Sequence, residues 1–162
     1  MSYRVGIGFD IHRLVEGRPL ILGGISVEYE KGLLGHSDGD VITHAVCDAI
    51  LGALALGDIG QYYPDTDEGI KGIDSMYMLK EIAASAQKTH KLVNIDANCI
   101  CEKPKLSAYR DRMTNRIADT CNIDPSCVSI KFRTHEGLGE IGKGEAIAAQ
   151  AVSLLQKITD KK

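Results

Sequence analysis

Two short polar stretches in the first quarter of the chain constrain the fold more than any other feature. They are Gly8-Phe9-Asp10-Ile11-His12, and His36-Ser37-Asp38-Gly39-Asp40 running on to His44. Residues 3–9 predict a strand, and residues i and i+2 of a strand project to one face, so Asp10 and His12 point the same way. His44 lies one turn inside a helix that begins near Asp40. A strand end and a helix therefore supply three metal ligands together and leave a fourth position open.

Asp10, His12 and His44 form a candidate catalytic zinc site. Structural zinc sites usually close with four protein ligands, whereas three ligands and an open position are typical of catalytic zinc. On spacing alone, the alternative is an Asp that caps a turn and histidines with local partners. The polar stretch at residues 36–40 favours the metal site, because it contains more acceptors than one helix N-cap needs.

Length and composition indicate one domain over residues 1–162, long enough to bury a core. Apolar residues make up 44% and charged residues 25%, which is ordinary for a globular protein. The net charge of −3 argues against a nucleic-acid partner, which needs a basic field, but leaves small anionic substrates open. No apolar run approaches about 18 residues, so we expect no membrane span.

The five cysteines and the N-terminus favour a cytoplasmic protein. The cysteine number is odd and no Cys-x-x-Cys occurs, which is typical of buried, reduced thiols. The N-terminus enters a strand at once, so we expect no signal or transit peptide.

The predicted order of elements is β, β-hairpin, α, α, β, α, β, α. The hairpin turns at Gly23-Gly24, and the first helix begins at Asp38 or Asp40 and closes at Gly57. The later elements are helices at about 75–89, 107–120 and 145–158, and strands at 93–101 and 128–132. This order predicts an α+β domain with a mixed β-sheet and a layer of helices on one face. Its other edges and faces are open to neighbouring subunits.

Residues 58–74 form one long loop rich in Gly and Asp. Compact domains keep such loops chiefly as lids or binding loops, the alternative here being a plain solvated connection. A loop that closes over a site would exclude water from it.

Two further segments follow strands and carry candidate binding residues. Residues 102–105 offer ammonium groups beside a proline, which suits a phosphate or a nucleotide, although a charged turn is an equal alternative. Glu136 follows Thr134 and suits Mg²⁺ held jointly with substrate phosphates, because Mg²⁺ keeps few protein ligands. The loops after Phe9, Cys101 and Phe132 converge if their strands adjoin. No Walker loop and no Gly-x-Gly-x-x-Gly is present, so ATP-type binding has no support.

Several motifs occur together in the order of a known enzyme family. They are Gly8-Phe9-Asp10-Ile11-His12, Tyr29-Glu30-Lys31-Gly32-Leu33-Leu34, His36-Ser37-Asp38-Gly39-Asp40, His44, Leu56-Gly57-Asp58-Ile59-Gly60, Pro64-Asp65-Thr66-Asp67 and Glu136-x-Leu138-Gly139. With them, essentially the whole chain resembles the 2-C-methyl-D-erythritol 2,4-cyclodiphosphate synthase family of the non-mevalonate isoprenoid pathway.

The resemblance implies a metal-dependent cyclase that acts as a homotrimer, with active sites between adjacent subunits. Its substrate would be 4-diphosphocytidyl-2-C-methyl-D-erythritol 2-phosphate. The substrate 2-phosphate would attack the β-phosphorus, forming 2-C-methyl-D-erythritol 2,4-cyclodiphosphate and releasing CMP. No general base is needed, because a phosphate dianion attacks without deprotonation. Two other classes stay open, a zinc-dependent phosphohydrolase and a non-catalytic metal- or isoprenoid-binding module.

The resemblance also implies roles for single residues. Asp10, His12 and His44 match the zinc ligands, Glu136 matches a ligand of Mg²⁺ or Mn²⁺ on the substrate diphosphate, and Thr134 matches a phosphate contact. The implied substrate-binding residues are His36, Ser37, Asp58, Gly60, Asp65, Asp67, Pro104, Lys105, Leu106 and Arg133.

Within that set, the resemblance divides the substrate into parts. His36 and Ser37 would line the phosphate site, and Asp58 and Gly60 would bind the methylerythritol hydroxyls. Residues 104–106 would bind cytidine and the α-phosphate. Arg133 and His135 depart from the threonine-rich stretch usual there, which leaves their contacts open.

Overall fold

A computed structural model of the chain describes residues 2–159. Met1 and residues 160–162, which the expected domain at 1–162 includes, lie outside the described residues. The strands are β1 Tyr3–Glu16, β2 Leu20–Leu22, β3 Ile25–Val27, β4 Lys31–Leu33, β5 His90–Ile100, β6 Val128–Arg133 and β7 Ala146–Lys157. The α-helices are α1 Val41–Ala53, α2 Ile59–Tyr62, α3 Ser75–Gln87, α4 Arg110–Cys121 and α5 Gly139–Gly142. Short 3₁₀ turns lie at Glu68–Ile70, Ser107–Tyr109 and Pro125–Cys127.

A five-stranded mixed sheet is the centre of the fold. Its strand order is β4-β1-β7-β5-β6, and β5 and β6 are parallel while the other pairs are antiparallel. Helix α1 packs on β1 and β7, α3 on β5, and α4 on β6, and β2 and β3 form a separate hairpin. The predicted α+β class, with a mixed sheet and a helix layer, is confirmed. No helix within residues 2–159 is both long enough and apolar enough to cross a membrane.

The helix predicted at residues 145–158 is wrong, because this segment is strand β7. It lies in the middle of the sheet, where Ala149 pairs with Asp10 of β1 on one side and with Cys99 of β5 on the other. A short apolar run fits a buried helix and a buried strand equally well by periodicity. Ala149 and Ala151 of β7 are buried and small, which lets α1 pack closely on the sheet.

The first strand is longer than the sequence indicated. Strand β1 continues to Glu16 instead of ending at Phe9, so Asp10 and His12 lie within the strand and no loop follows Phe9. Helix α1 ends at Ala53 rather than Gly57, and the short edge strand β4 was not predicted. The loop at residues 58–74 contains α2 and a 3₁₀ turn.

Asp40 connects the hairpin to the helix that carries His44. Its buried carboxylate caps α1 by accepting from the backbone N–H of Thr43 at 3.1 Å. The same carboxylate accepts from the N–H groups of Gly23 and Gly24, at 2.9 and 2.7 Å, in the hairpin turn. Four orphan N–H groups begin every helix, so one carboxylate here satisfies a helix start and a turn together.

The two faces of β1 differ because its residues alternate. Gly6 and Gly8 face α1, where an added Cβ would lie 1.9 Å from the carbonyl oxygen of Ala49 and 2.0 Å from that of Ala45. Only glycine allows this approach, and it brings α1 against the strand. On the opposite face, the side chains of Val5, Ile7, Phe9 and Ile11 are 67, 63, 56 and 47% exposed in the single chain.

Candidate metal and substrate site

The close packing of α1 on β1 brings Asp10, His12 and His44 together. Asp10 Oδ2 lies 3.1 Å from His12 Nε2 and 2.8 Å from His44 Nδ1, and the two imidazole rings are 5.6 Å apart. The ligand atoms of all three residues lie within 4.8 Å of one another. The predicted meeting of a strand pair and a helical histidine is therefore present.

The charges of the triad favour an anionic Asp10. Burial alone would raise the pKa of Asp10, but hydrogen bonds from His12 and His44 and their positive charge lower it well below the usual range. Burial acts to lower the pKa of His44, but the hydrogen bond and charge of Asp10 outweigh it and raise that pKa. Metal ligands must be deprotonated, so an ion entering here would replace protons.

The donor set fits a divalent transition metal. One carboxylate oxygen and two imidazole nitrogens suit zinc and its neighbours, and these atoms already converge within one small volume. All three residues line a cavity of about 620 Å³, so a metal bound by them would face the cavity.

The cavity joins the triad to the loop at residues 58–74. Besides the triad, it is lined by Gly35, His36, Ser37, Ile59, Gly60, Tyr63, Pro64, Asp65, Ile70, Ile73 and Met78. The predicted substrate residues His36, Ser37, Gly60 and Asp65 thus lie beside the metal ligands. A cavity of this size is in the range that proteins use for small molecules.

The other two predicted substrate aspartates have local structural contacts. Asp58 caps α2 by accepting from Gln61 N at 3.3 Å, and Asp67 accepts from Gly69 N at 2.9 Å. His36 Nε2 lies 3.0 Å from the carbonyl oxygen of Asp67, which ties the loop at residues 58–74 to the cavity wall. Asp58 and Asp67 are absent from the cavity wall formed by the described residues.

Arg18 is a residue that the sequence reasoning missed. Its guanidinium donates to the carbonyl oxygens of Gly35 at 3.2 Å and Ser37 at 2.8 Å, so it supports the loop that carries His36. Among residues 2–159 no carboxylate forms an ion pair with it within 4.0 Å. Its contacts span 17 and 19 positions and follow no local motif that a sequence reader would notice.

Two hydroxyl groups contact the buried side of His44. Its Nε2 lies 2.8 Å from Ser75 Oγ and 3.1 Å from Ser37 Oγ. Ser75 also donates its hydroxyl to Asp38 Oδ1. Ser75 was visible in the sequence only as the first residue of a helix after the cap Asp74, so nothing indicated this contact.

A second cavity, of about 260 Å³, collects the predicted nucleotide residues. Its lining includes Pro104, Lys105, Leu106, Arg133 and Thr134. They meet because β5 and β6 are parallel neighbours whose ends lie at one sheet edge, as the convergence of the loops after Cys101 and Phe132 predicted.

The wall of the second cavity combines apolar and positively charged side chains. The Lys103–Pro104 peptide is cis, and Leu106 is buried. The guanidinium of Arg110 lies 5.4 Å over the ring of Phe132, which gives this wall a flat, positively charged edge.

Glu136 lies on an exposed turn beside the second cavity. Its φ is +52°, and its carboxylate accepts from the hydroxyl of Thr134 two residues away. The neighbouring His135 N–H donates to Glu102 Oε2 at 3.1 Å, which joins the two loops. Among the described residues the two cavities share no lining residue, and Glu136 lines neither. One chain therefore does not bring Glu136 and the triad to a common cavity.

The fold and the site together define a single-domain α+β protein with three side chains that could hold a metal ion at the wall of a cavity. A family model described as YgbB matches residues 3–156, and the chain belongs to the YgbB family. The 2-C-methyl-D-erythritol 2,4-cyclodiphosphate synthase of Methylobacillus flagellatus is 54% identical over 155 residues, which cover 95% of this chain and 97% of that one.

Solved structures agree with the sequence relatives. The CDP complex of IspF from Plasmodium falciparum superposes with a TM-score of 0.85 at 36% identity, covering 98% of each chain. The bifunctional IspDF from Campylobacter jejuni superposes with a TM-score of 0.93 at 41% identity. This chain covers only 43% of that longer protein, while it is itself 98% covered. The family and the enzyme class predicted from the motifs are confirmed.

Proposed function

We propose that this chain converts 4-diphosphocytidyl-2-C-methyl-D-erythritol 2-phosphate to 2-C-methyl-D-erythritol 2,4-cyclodiphosphate and CMP. An oxygen of the 2-phosphate forms a bond to the β-phosphorus, and the bond from that phosphorus to the α-phosphate oxygen breaks. CMP carries away the electron pair of that bond. The protein supplies no nucleophile and no general base. The supporting observation is the triad of Asp10, His12 and His44, which opens on a cavity in a chain of this family.

The chain's own contribution is to bind and orient a flexible substrate. Intramolecular attack needs the two phosphates in line, and a fixed geometry removes much of the entropic part of the barrier. His36 and Ser37 lie beside the triad on the cavity wall, where both can donate to a phosphate. Gly60 and Asp65 lie on the side of the same cavity formed by the loop at residues 58–74, which suits the methylerythritol hydroxyls and leaves Asp58 within the same turn.

Two metal ions would complete the electrostatics. Zinc, or a similar divalent ion, on Asp10, His12 and His44 would supply positive charge at the β-phosphate. Mg²⁺ or Mn²⁺ on Glu136 would neutralise charge on the diphosphate, in keeping with an ion that takes few protein ligands. Thr134 is within hydrogen-bond reach of Glu136 and orients its carboxylate.

The second cavity supports a cytidine site. Its Lys105 and its Thr134 offer donors for a nucleoside phosphate at the pocket edge. Arg133 is exposed there and available to the α-phosphate. The solved relative from Plasmodium falciparum is a CDP complex, which is consistent with a cytidine nucleotide as part of the substrate.

A homotrimer would join the two half-sites. A single chain has the triad and the cytidine pocket on separate cavities, and it exposes Val5, Ile7, Phe9 and Ile11 on one face of β1. Exposed contiguous apolar side chains mark interaction surfaces, and a second copy that covers them can bring its own Glu136 turn to the triad.

We accordingly assign residues 1–162 as one catalytic domain of that trimer. The five free cysteines support a cytoplasmic setting.

The test is direct incubation with the cytidyl substrate, zinc-loaded protein and Mg²⁺. We expect equal amounts of CMP and the cyclic diphosphate, and ³¹P NMR measures both products. Release of free phosphate in place of the cyclic product would identify a metal-dependent phosphohydrolase. Binding of metal and substrate without CMP release would identify a non-catalytic module, and either result would overturn the proposal.

A further inference from the structure

His44 Nε2 faces two serine hydroxyls that differ in distance and in surroundings. Ser75 Oγ is the nearer, at 2.8 Å, and Ser37 Oγ lies at 3.1 Å. Ser75 is fully buried at the start of α3, and Ser37 lines the cavity. A neutral imidazole has one donor and one acceptor nitrogen, so the partners of Nε2 decide which nitrogen remains for a metal.

Asp38 fixes the direction of the Ser75 hydroxyl. The Asp38 carboxylate is surrounded by donors, because Oδ2 accepts from Ser75 N at 3.1 Å and Oδ1 accepts from Asp40 N at 3.2 Å. Oδ1 also accepts from Ser75 Oγ. Both oxygens of Asp38 accept from backbone N–H groups, and the single hydroxyl hydrogen of Ser75 points to Oδ1. Ser75 Oγ can then only accept from His44, and Nε2 must carry a hydrogen.

We propose that Asp38 and Ser75 are positioning residues that fix His44 with its hydrogen on Nε2 and its Nδ1 lone pair aimed at the metal site. His44 Nδ1 lies 2.8 Å from Asp10 Oδ2, so the nitrogen left for the metal is the one next to the carboxylate ligand. Histidine ligands of metals commonly donate their second N–H to such an outer partner, and those partners raise metal affinity.

This arrangement of Asp38, Ser75 and His44 leaves the hydroxyl of Ser37 free to bind substrate. Because His44 Nε2 is a donor, the Ser37 hydroxyl cannot donate to it. The Ser37 oxygen already accepts from Gly39 N at 3.2 Å. Its hydrogen can therefore point into the cavity, towards the position of a phosphate. Two serines next to one nitrogen thus have separate tasks, one for metal and one for substrate.

This inference rests on the proposed metal site but not on turnover, so its test measures zinc binding. Ser75→Ala should raise the zinc dissociation constant by about 10- to 100-fold in chelator competition, as loss of an outer partner does elsewhere. Ser37→Ala, which removes the other hydroxyl from the same nitrogen, should leave that constant nearly unchanged. A chain that binds zinc in this way but forms no cyclic product would refute the proposed function alone.

A second measurement separates positioning from general damage to the fold. In zinc-loaded protein labelled with ¹⁵N-histidine, NMR should show a protected Nε2–H on His44, assigned by substituting the three histidines outside the triad in turn and by its NOE contacts with Ser75. That proton should exchange rapidly with solvent in Ser75→Ala. Thermal unfolding of the metal-free variant should match the parent, because α3 is capped by Asp74 rather than by Ser75.

Three outcomes overturn the inference. They are an unchanged zinc constant in Ser75→Ala, equal weakening in both serine variants, and a His44 hydrogen found on Nδ1. Where Ser75→Ala fails to fold, Asp38→Asn is measured instead, since it removes the acceptor that orients the hydroxyl. Weakened zinc binding in Asp38→Asn supports the arrangement of Asp38, Ser75 and His44, and unchanged binding refutes it.

Discussion

The metal triad and the Glu136 turn carry similar polar groups but are built in opposite ways. His44 is only 6% exposed, and its two ring nitrogens contact Asp10 on one side and Ser75 on the other. Glu136 is exposed, in left-handed backbone, and its recorded partner is Thr134 on the same turn. The first site is fixed by the packing of a helix on a strand, and the second by a few neighbouring residues.

The contrast indicates where each site acquires its function. The three side chains of the triad are already placed within one chain, so we expect the triad to bind a metal without a second subunit. A site on an exposed turn gains partners only when substrate or another chain arrives. Variants that separate zinc binding from turnover therefore test the comparison.

The largest effect is expected from His44→Ala. The variant should lose zinc and lower kcat by roughly 1000-fold, since a catalytic metal contributes several kcal/mol and each 1.4 kcal/mol is tenfold. The helix should persist, because alanine is the best helix former. Metal analysis, circular dichroism and the CMP assay measure the three effects, and a variant with stoichiometric zinc would refute the ligand assignment.

Replacing Ile7 by Asp should separate the two regions most clearly. Ile7 is 63% exposed in one chain, so a charge there is tolerated by the monomer but not by an apolar subunit contact. We expect sedimentation to show monomers that retain zinc and lose nearly all activity. Tyr77→Asp, at an exposed side chain of α3 on the opposite face of the sheet, is the control. A fully active Ile7→Asp monomer would show that one chain contains the whole active site.

Glu136→Gln should leave zinc in place and change only the response to magnesium. The substitution removes a charge with little change in volume, and we expect half-maximal activity at about tenfold more Mg²⁺, equivalent to about 1.4 kcal/mol. The loss should appear mostly in kcat, because charge develops on the leaving phosphate. Activity titrated against Mg²⁺ measures it, and an unchanged titration would reduce Glu136 to a turn residue.

The smallest effect is expected from Arg18→Gln. Loss of the hydrogen bonds to the carbonyls of Gly35 and Ser37 should loosen the loop that carries His36. We expect KM to rise by about tenfold, with zinc content unchanged. Arg18→Lys retains the charge but not the forked geometry, so it separates the two contributions. Steady-state kinetics of both variants provides the measurement, and an unchanged KM in Arg18→Gln would leave the loop independent of Arg18.

Local patterns in the sequence were enough to predict the triad and the helix layer. Asp10 and His12 follow strand alternation, and His44 follows from a helix start that Asp40 caps. Strand β7 was missed because an alanine-rich run has no periodicity that separates a buried strand from a helix. Its identity depends on hydrogen bonds to two distant strands, and such pairings are invisible along the chain.

The outer contacts of the site escaped prediction for a similar reason. Ser75 reaches His44 across 31 positions and Asp38 across 37. A serine after a capping aspartate and an aspartate in a polar loop both have sufficient local explanations. Only the fold shows that Ser75 links Asp38 to the imidazole of His44.

The alternation of β1 places metal ligands on one face and the exposed apolar side chains on the other, with a single backbone between them. If copies associate through that apolar face, metal loading and assembly share one rigid element and become thermodynamically linked. Zinc that orders β1 should then tighten association, and by reciprocity association should raise zinc affinity by the same factor. A cell short of zinc would in this way hold fewer trimers as well as fewer loaded sites.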